Sequence, residues 1–366
     1  MSKKGIKRRE FVRRAGQAVA GAALGGILTR GGLAAPGAKA DTSKILNYNA
    51  KMGYRPFGRT GVMISEVGLG GHWKTPTGGR FWSSFPNDDP PADVQKARNE
   101  VWVKAAGCGI NYLDITTAAE AAIYGRCMKQ TGVPMHVGYS DYVLCMRDKN
   151  NRSVERLTVE IDAGLKRLMV DRLWLWRPQA LMEGGHTPEE IENVVAAYDN
   201  ASKAGKVLYL GMSAHNHEFV RWVLDKWGDK FHGFVFLYSV SHEPKASGSM
   251  FETIAKKNVG AVGLKPFHGD GYFRDEMRKA EQEKRPPALD DIAVKGLKKI
   301  LEVPELTCTI PGMTIPAEVE NDVKASYERA TGLTDAERRA IREAALASAD
   351  HLPPDYAWIR DQGIYV

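Results

Sequence analysis

The sequence predicts an α/β barrel, a (βα)8 TIM barrel in a single domain, with eight parallel strands each followed by a helix. Two observations carry that expectation. Short apolar runs alternate with amphipathic stretches at similar spacing, with no composition break between residues 41 and 366. Each run is apolar on both faces, as expected where helices cover a parallel sheet. Eight such units joined by right-handed crossovers close most naturally into a barrel. A doubly wound open sheet is the competing arrangement. It fits less well, because Gly68-Leu69-Gly70-Gly71 lacks the last glycine and the following helix of a dinucleotide-binding turn.

Residues 1–40 stand apart and read as a cleavable twin-arginine signal peptide. Lys7-Arg8-Arg9-Glu10-Phe11-Val12-Arg13 is a basic head, Ala15 to Leu28 a Gly/Ala-rich apolar middle, and Ala38-Lys39-Ala40 a small-x-small end. Gly16, Gln17, Gly21, Gly25 and Gly26 interrupt the middle, which is too short and too small-residue-rich for a stable membrane anchor. The expected location is the periplasm or another exported site, and the expected first partner is the twin-arginine export machinery.

In the domain from residue 41 to 366, strands are expected at Glu66–Leu69, Asn111–Leu113, Met135–Gly138, Arg172–Trp176, Val207–Met212, Gly233–Leu237, Gly260–Leu264 and Thr307–Ile310. Helical periodicity covers Asp93–Ala106, Arg152–Leu168, Pro188–Lys203, Glu218–Lys226 and Ala293–Leu301. Loops interrupt the pattern at Thr75–Pro91, Pro244–Gly248 and Gly269–Pro287, the last leading into a charged helix from Arg274 to Lys284. Such loops belong on the carboxyl side of barrel strands, where function is placed. The tail from Leu333 reads as a helix and then a segment with Pro353-Pro354, Trp358 and Tyr365 laid across the barrel.

Formal charge is +7, but the leader holds nine basic residues against one acid, so the rest of the chain carries −1. A near-neutral body offers no footprint for nucleic acid. No later stretch is apolar and long enough to span a bilayer. Cys108, Cys127, Cys145 and Cys308 fall into no zinc or redox spacing and are expected as buried free thiols.

Several segments then resemble one known family. Tyr54-Arg55-Pro56-Phe57-Gly58-Arg59-Thr60-Gly61, Ser65 to Gly70, Gly109 to Asp114, Gly205 to Ser213, Gly263-Leu264-Lys265-Pro266-Phe267 and Thr309-Ile310-Pro311-Gly312-Met313 match the aldo-keto reductases in order. The resemblance implies the same (βα)8 barrel. It also implies NADPH-dependent carbonyl reduction by an Asp/Tyr/Lys/His tetrad, in which a tyrosine acid is tuned by a lysine held by the aspartate. Asp114 matches the aspartate. Ala119 stands at the tyrosine's place, Ser140 at the lysine's and Trp176 at the histidine's. Alanine and tryptophan cannot supply that proton, and serine replaces the lysine's cation poorly. Tyr139 or Tyr124 taking over the acid's role is the alternative. For a cofactor, the resemblance assigns Tyr238 to the nicotinamide face, Ser213 to its carboxamide and Pro311-Gly312-Met313 to the last turn, with Lys265 at the rim. That turn lacks the Arg or Lys that grips a 2′-phosphate.

The rim offers other chemistry. His72, His215, His217, His242 and His268 follow expected strands, and His215, His217 and His268 are the candidates for a metal site, with Asp114 and Asp141 as carboxylates. No fixed ligand spacing supports a metal. Lys265 and Arg177 make the mouth partly cationic, suited to an anionic small molecule. Trp73, Trp82, Trp174, Trp176 and Phe267 either pack the rim or line a ligand pocket. The expectation is an exported oxidoreductase barrel with an altered site marked by Asp114, Ser140, Trp176, Tyr238 and Lys265. A non-catalytic small-molecule receptor and a metal-dependent enzyme are the alternatives.

Overall fold

Seven parallel strands run in unbroken sequence order around a sheet: β3 (Tyr112–Ile115), β4 (His136–Tyr139), β5 (Leu173–Trp176), β6 (Val207–Ala214), β7 (Gly233–Leu237), β8 (Gly260–Leu264) and β9 (Cys308–Ile310). The computed structural model describes residues 41–71, 73, 89–269, 271–348, 352, 358–359 and 364–366. Residues 1–40, read from the sequence as a signal peptide, lie outside the described residues, as do His72, Trp82, most of the loop from Thr75 and the Pro353-Pro354 pair. Met1–Ile45 and Leu46–Val366 are two compact units. Of the first, only the last five residues are described. There the turn Thr42–Lys44 is capped by Asp41, whose side chain accepts from Ser43 N.

The expected first strand closes the ring. Val67 pairs with Thr309 and Leu69 with Leu113, both parallel, so this segment bridges β9 to β3 as the eighth stave. It is held by single bridges rather than a full ladder, because Gly68 and Gly70 pass against the β9 backbone. A Cβ at residue 70 would lie 2.5 Å from the Ile310 carbonyl oxygen. Ahead of it, β1 (Tyr54–Pro56) and β2 (Met63–Ser65) form an antiparallel hairpin that the apolar pattern did not reveal. The hairpin delivers Phe57 into the barrel floor, fully buried among Ile64, Tyr112, Leu175, Val235 and Val262. Gly233 and Gly260 make room for its ring, since a Cβ at either would come within 2.4 Å of it. Burying that phenyl group contributes roughly 2–3 kcal/mol.

Helices α1 (Ala92–Gly107), α2 (Ala118–Thr131), α3 (Val154–Leu168), α4 (Pro188–Lys203), α5 (His217–Trp227) and α6 (Met250–Lys257) follow successive strands. Their starts are set by local chemistry. Thr117, Ser153, Thr187, Asn216 and Ser249 each accept an amide hydrogen with their side chains, satisfying donors that a helix end leaves unpaired. For α2 and α5, which start within three residues of a strand end, the cap also fixes the rim turn. A second core fills the annulus between strands and helices, with Trp102, Trp176, Phe234 and Phe236 in it. The two cores explain the apolar character of both strand faces.

Helices α7 (Arg274–Gln282) and α8 (Leu289–Leu301) precede β9. They are followed by α9 (Pro316–Asp322), α10 (Lys324–Tyr327) and α11 (Asp335–Ser348). Near the end of the chain Tyr365 pairs with Glu243, and Trp358 packs on His215 with ring centres 4.6 Å apart. Trp358 and Tyr365 thus both reach the rim, as expected. Among the described residues no helix is long and apolar enough to cross a membrane. The four cysteines are free thiols, with Cys108 part-exposed and the other three buried.

Candidate functional site

The carboxyl ends of the strands open onto a cavity of about 1170 Å³, slightly larger than most ligand pockets. Its floor is built from β3. Tyr112 and Asp114 point inward, and the Tyr112 hydroxyl donates to Asp114 Oδ1 at 2.9 Å. Gly138 lies opposite Asp114 in the ladder. A Cβ there would sit 2.7 Å from Oδ1 and 2.3 Å from the phenol oxygen, so the glycine leaves the space that these two groups occupy.

One strand further on, Leu175 and Arg177 face inward while Trp176 faces the helices. Arg177 reaches back to Asp114 through Nε–Oδ1 at 2.6 Å and Nη2–Oδ2 at 2.5 Å, and Nη2 also donates to the Ile115 carbonyl. Both side chains are buried. Burial pushes the Asp114 carboxyl up, and Arg177 opposes the shift. The bidentate fork favours the charged form of the carboxyl. The aspartate's cation therefore comes from the next strand but one, not from a lysine on β4.

The wall above the floor carries Asp141, Tyr142, Val143 and Arg147 of one loop, with Gln179, Ser213, His215, Lys265, Gly312 and Trp358 among others. Arg167 donates to Asp141 Oδ2 at 2.7 Å. Arg147 is fixed by Nε to the Ala180 carbonyl at 2.9 Å, and its Nη2 lies 3.4 Å from His215 Nδ1. Lys265 and His268 both have φ above 50°, a left-handed conformation that costs each roughly 1 kcal/mol. At the far side the wall is acidic. Glu318 Oε2 accepts from Thr314 N at 2.5 Å and from Ile315 N at 3.4 Å. Asp290 and Asp322 line the same side. Burial, helped by Glu318, pushes the Asp322 carboxyl up to about 8.

Of the residues marked from sequence, Asp114, Ser213, Lys265 and Gly312 open onto the cavity, and so does Ala119. Ser140 and Trp176 do not. Both turn outward to Glu160 on α3, with Ser140 Oγ donating at 2.7 Å and Trp176 Nε1 at 3.1 Å. The Asp141 amide adds a third donor at 2.8 Å. Burial pushes the Glu160 carboxyl up to about 7, against those hydrogen bonds. Tyr238 is also misplaced by the sequence reading. It packs on Phe251 and His242, with ring centres 5.1 and 5.9 Å away, and borders a separate cavity of about 470 Å³. Pro311 and Met313 point away too. The Pro311 carbonyl accepts from Gly70 N, and the Met313 carbonyl accepts from Arg98.

Neither alternative tyrosine reaches the cavity. Tyr139 donates to the Glu160 carbonyl at 3.2 Å, and Tyr124 is buried against Trp102. The histidines divide as well. His215 is in the wall, whereas His217 donates to the Leu237 carbonyl and His268 bonds Ser239, Ser241 and Ser348. Among the described residues no group of three or more His, Cys, Asp or Glu is placed to hold a metal. Of the aromatics, Trp73, Phe267 and Trp358 line the cavity; Trp174 packs low in the barrel against Phe57. Sequence reasoning named Arg177 only as a rim cation and missed Arg147. A lone arginine two residues past Leu175, at the end of an apolar strand, was the available signal for the first.

Comparison with known proteins bears on the same segments. The Aldo/keto reductase family description matches residues 84–344. A search of curated proteins by sequence finds no match. Among solved structures, the aldo-keto reductase AKR11C1 from Bacillus halodurans is similar in its holo form at 18% identity and a TM-score of 0.57, covering 80% of this chain and 96% of that one. Its apo form gives 17% and 0.56 with the same coverage. At these identities the likeness is one of fold.

Proposed function

The chain belongs to the aldo/keto reductase family, and from that membership we propose that it is an exported nicotinamide-dependent oxidoreductase with an altered proton-donating site. The observation that carries this reading is a convergence. Asp114, Ser213, Lys265 and Gly312, which the resemblance assigns to the reaction and its cofactor, open onto one cavity of about 1170 Å³.

The family generally uses NAD(P)H. Ser213, Lys265 and Gly312 would hold such a dinucleotide here, and when bound it supplies hydride. The 2′-phosphate fits poorly. Glu318 already occupies the Thr314 and Ile315 amides, and Asp290 adds a second carboxylate on that side. Like charges repel a dianion there, so NADH is favoured over NADPH.

The chain's own groups hold protons in an altered pattern. Ala119 brings no hydroxyl to the wall, and a guanidinium, Arg177, stands beside Asp114 in place of a lysine. Asp114 is consumed in neutralising Arg177 and lies too deep in that pair to act as a base. Ordinary tyrosine-dependent reduction therefore lacks its hydroxyl at residue 119, and the Tyr112 hydroxyl beside Asp114 is buried and committed to that carboxylate. The same observation favours the second reading, a barrel retained as a small-molecule receptor. The leader supports export of a folded protein that carries its cofactor with it.

The test uses protein purified from the exported fraction. Bound nucleotide is read by absorbance, metal content is measured on the same sample, and hydride transfer is followed with NADH and NADPH on simple aldehydes. Bound or micromolar-affinity NAD(H) supports the oxidoreductase; no nucleotide binding leaves the receptor ahead. A robust NADPH-dependent rate, abolished by Asp114→Asn, would overturn the claim that the ordinary mechanism is gone.

A further inference from the structure

We infer that the cavity takes a carboxylate-bearing small molecule, gripped by Arg147 in the wall beside His215. The inference rests on the reading of this cavity as the substrate site. Ion pairs among the described residues give the first reason. Arg177 is matched by Asp114, Arg167 by Asp141 and Arg152 by Glu190. Arg147 lines the cavity and has no carboxylate partner among them. A half-buried guanidinium facing a cavity without a counter-charge is a poor structural investment unless an anion completes it.

Preorganisation is the second reason. Nε is anchored on the Ala180 carbonyl at 2.9 Å, and the ring of Tyr142 lies 5.3 Å from Cζ. The loop that carries Arg147 is itself tied down. Asn151 Nδ2 donates to the Val143 carbonyl at 2.9 Å, and Arg152 Nε donates to the Met146 carbonyl at 2.9 Å. With Nε committed and Nη2 3.4 Å from His215 Nδ1, Nη1 and the second N–H of Nη2 are the donors left to a ligand. Their planar geometry suits a carboxylate.

Charge decides between classes of anion. Asp114 and Asp141 line the same cavity but are neutralised by their own arginines, so Arg147 leaves an excess of one positive charge at this end. A monoanion balances it. A phosphate dianion would bring surplus negative charge toward those two carboxylates.

The experiment is calorimetric binding to the full exported chain, with no nicotinamide added. The probes are 4-carboxybenzaldehyde, its methyl ester and inorganic phosphate. The carboxylate is expected to bind at least about 10-fold tighter than the ester, as loss of a charge-assisted hydrogen bond implies. Arg147→Gln is expected to erase that preference, and Arg147→Lys to retain part of it, with unchanged circular dichroism and melting as the folding check. Equal binding of acid and ester, no binding of the acid, a preference surviving in Arg147→Gln, or tighter binding of phosphate would each overturn the inference. Because the readout is equilibrium binding, it stands or falls separately from hydride transfer. A carboxylate preference without turnover sinks the oxidoreductase reading alone.

Discussion

Replacing Arg177 by methionine isolates what the Asp114 pair contributes. The substitution keeps most of the volume but leaves a buried carboxylate with only the Tyr112 hydroxyl, 2.9 Å away. Breaking a buried pair from one side costs about 3–5 kcal/mol. Protonation caps that penalty. An unfolded aspartate titrates near 3.9, so keeping Asp114 neutral at pH 7 costs about 4 kcal/mol, at 1.36 kcal/mol per unit. Loss of the Arg177 bond to the Ile115 carbonyl adds about 1 kcal/mol.

At pH 5 the same cap is only about 1.5 kcal/mol. The sign follows from linkage. Burial raises the folded carboxyl, and removing Arg177 raises it further. Stability is then least affected below the unfolded value and is lost as pH rises through the raised one. Urea unfolding of wild type and Arg177→Met should show a deficit of about 3–5 kcal/mol at pH 7, capped at about 2.5 kcal/mol at pH 5. Asp114→Asn combined with Arg177→Met should recover about 2 kcal/mol or more of the pH 7 deficit. A deficit below about 1 kcal/mol, or one independent of pH, would refute the buried ion pair.

Three further outcomes follow from single sites. Glu318→Gln removes the full charge beside the Thr314 amide, and fluorescence titration should show the NADPH to NADH affinity ratio rising about 5- to 10-fold, a gain of about 1 kcal/mol. Glu160, pushed up to about 7 by burial, contributes stability as the protonated acid. That contribution is present below the unfolded value and lost as pH rises to about 7. The stability of wild type relative to Glu160→Gln should therefore fall by about 3 kcal/mol between pH 4 and pH 7.5 in urea melts. Burial pushes the Cys127 and Cys145 thiols up to about 12, and Cys308 is fully buried. A thiol reagent at pH 8 should therefore modify only part-exposed Cys108 before unfolding.

The barrel was legible because its demands are periodic. Strands such as Gly233–Leu237 must satisfy an inner and an outer core at once, and a run apolar on both faces records that. The hairpin carrying Phe57 left no such record, since its strands are three residues long and its fit depends on glycines distant in sequence. In the site, the errors share one cause. Ser140, Trp176 and Tyr238 were placed by resemblance along the chain, which fixes a position but not the side of the strand. A one-residue difference in facing turns a side chain from cavity to helix layer. Arg177, the neighbour of Trp176, has the inward place instead.

That substitution changes what Asp114 can be taken to mean. Once Arg177 is buried against it, losing the aspartate strands an arginine in the barrel, so the pair is held by stability whether or not it serves a reaction. Residues that the fold does not need are better witnesses to chemistry. Arg147 is one: its backbone is pinned and its Nε is satisfied, yet its charge is matched by no carboxylate among the described residues. The fold gains nothing evident from that charge, and an anionic ligand would.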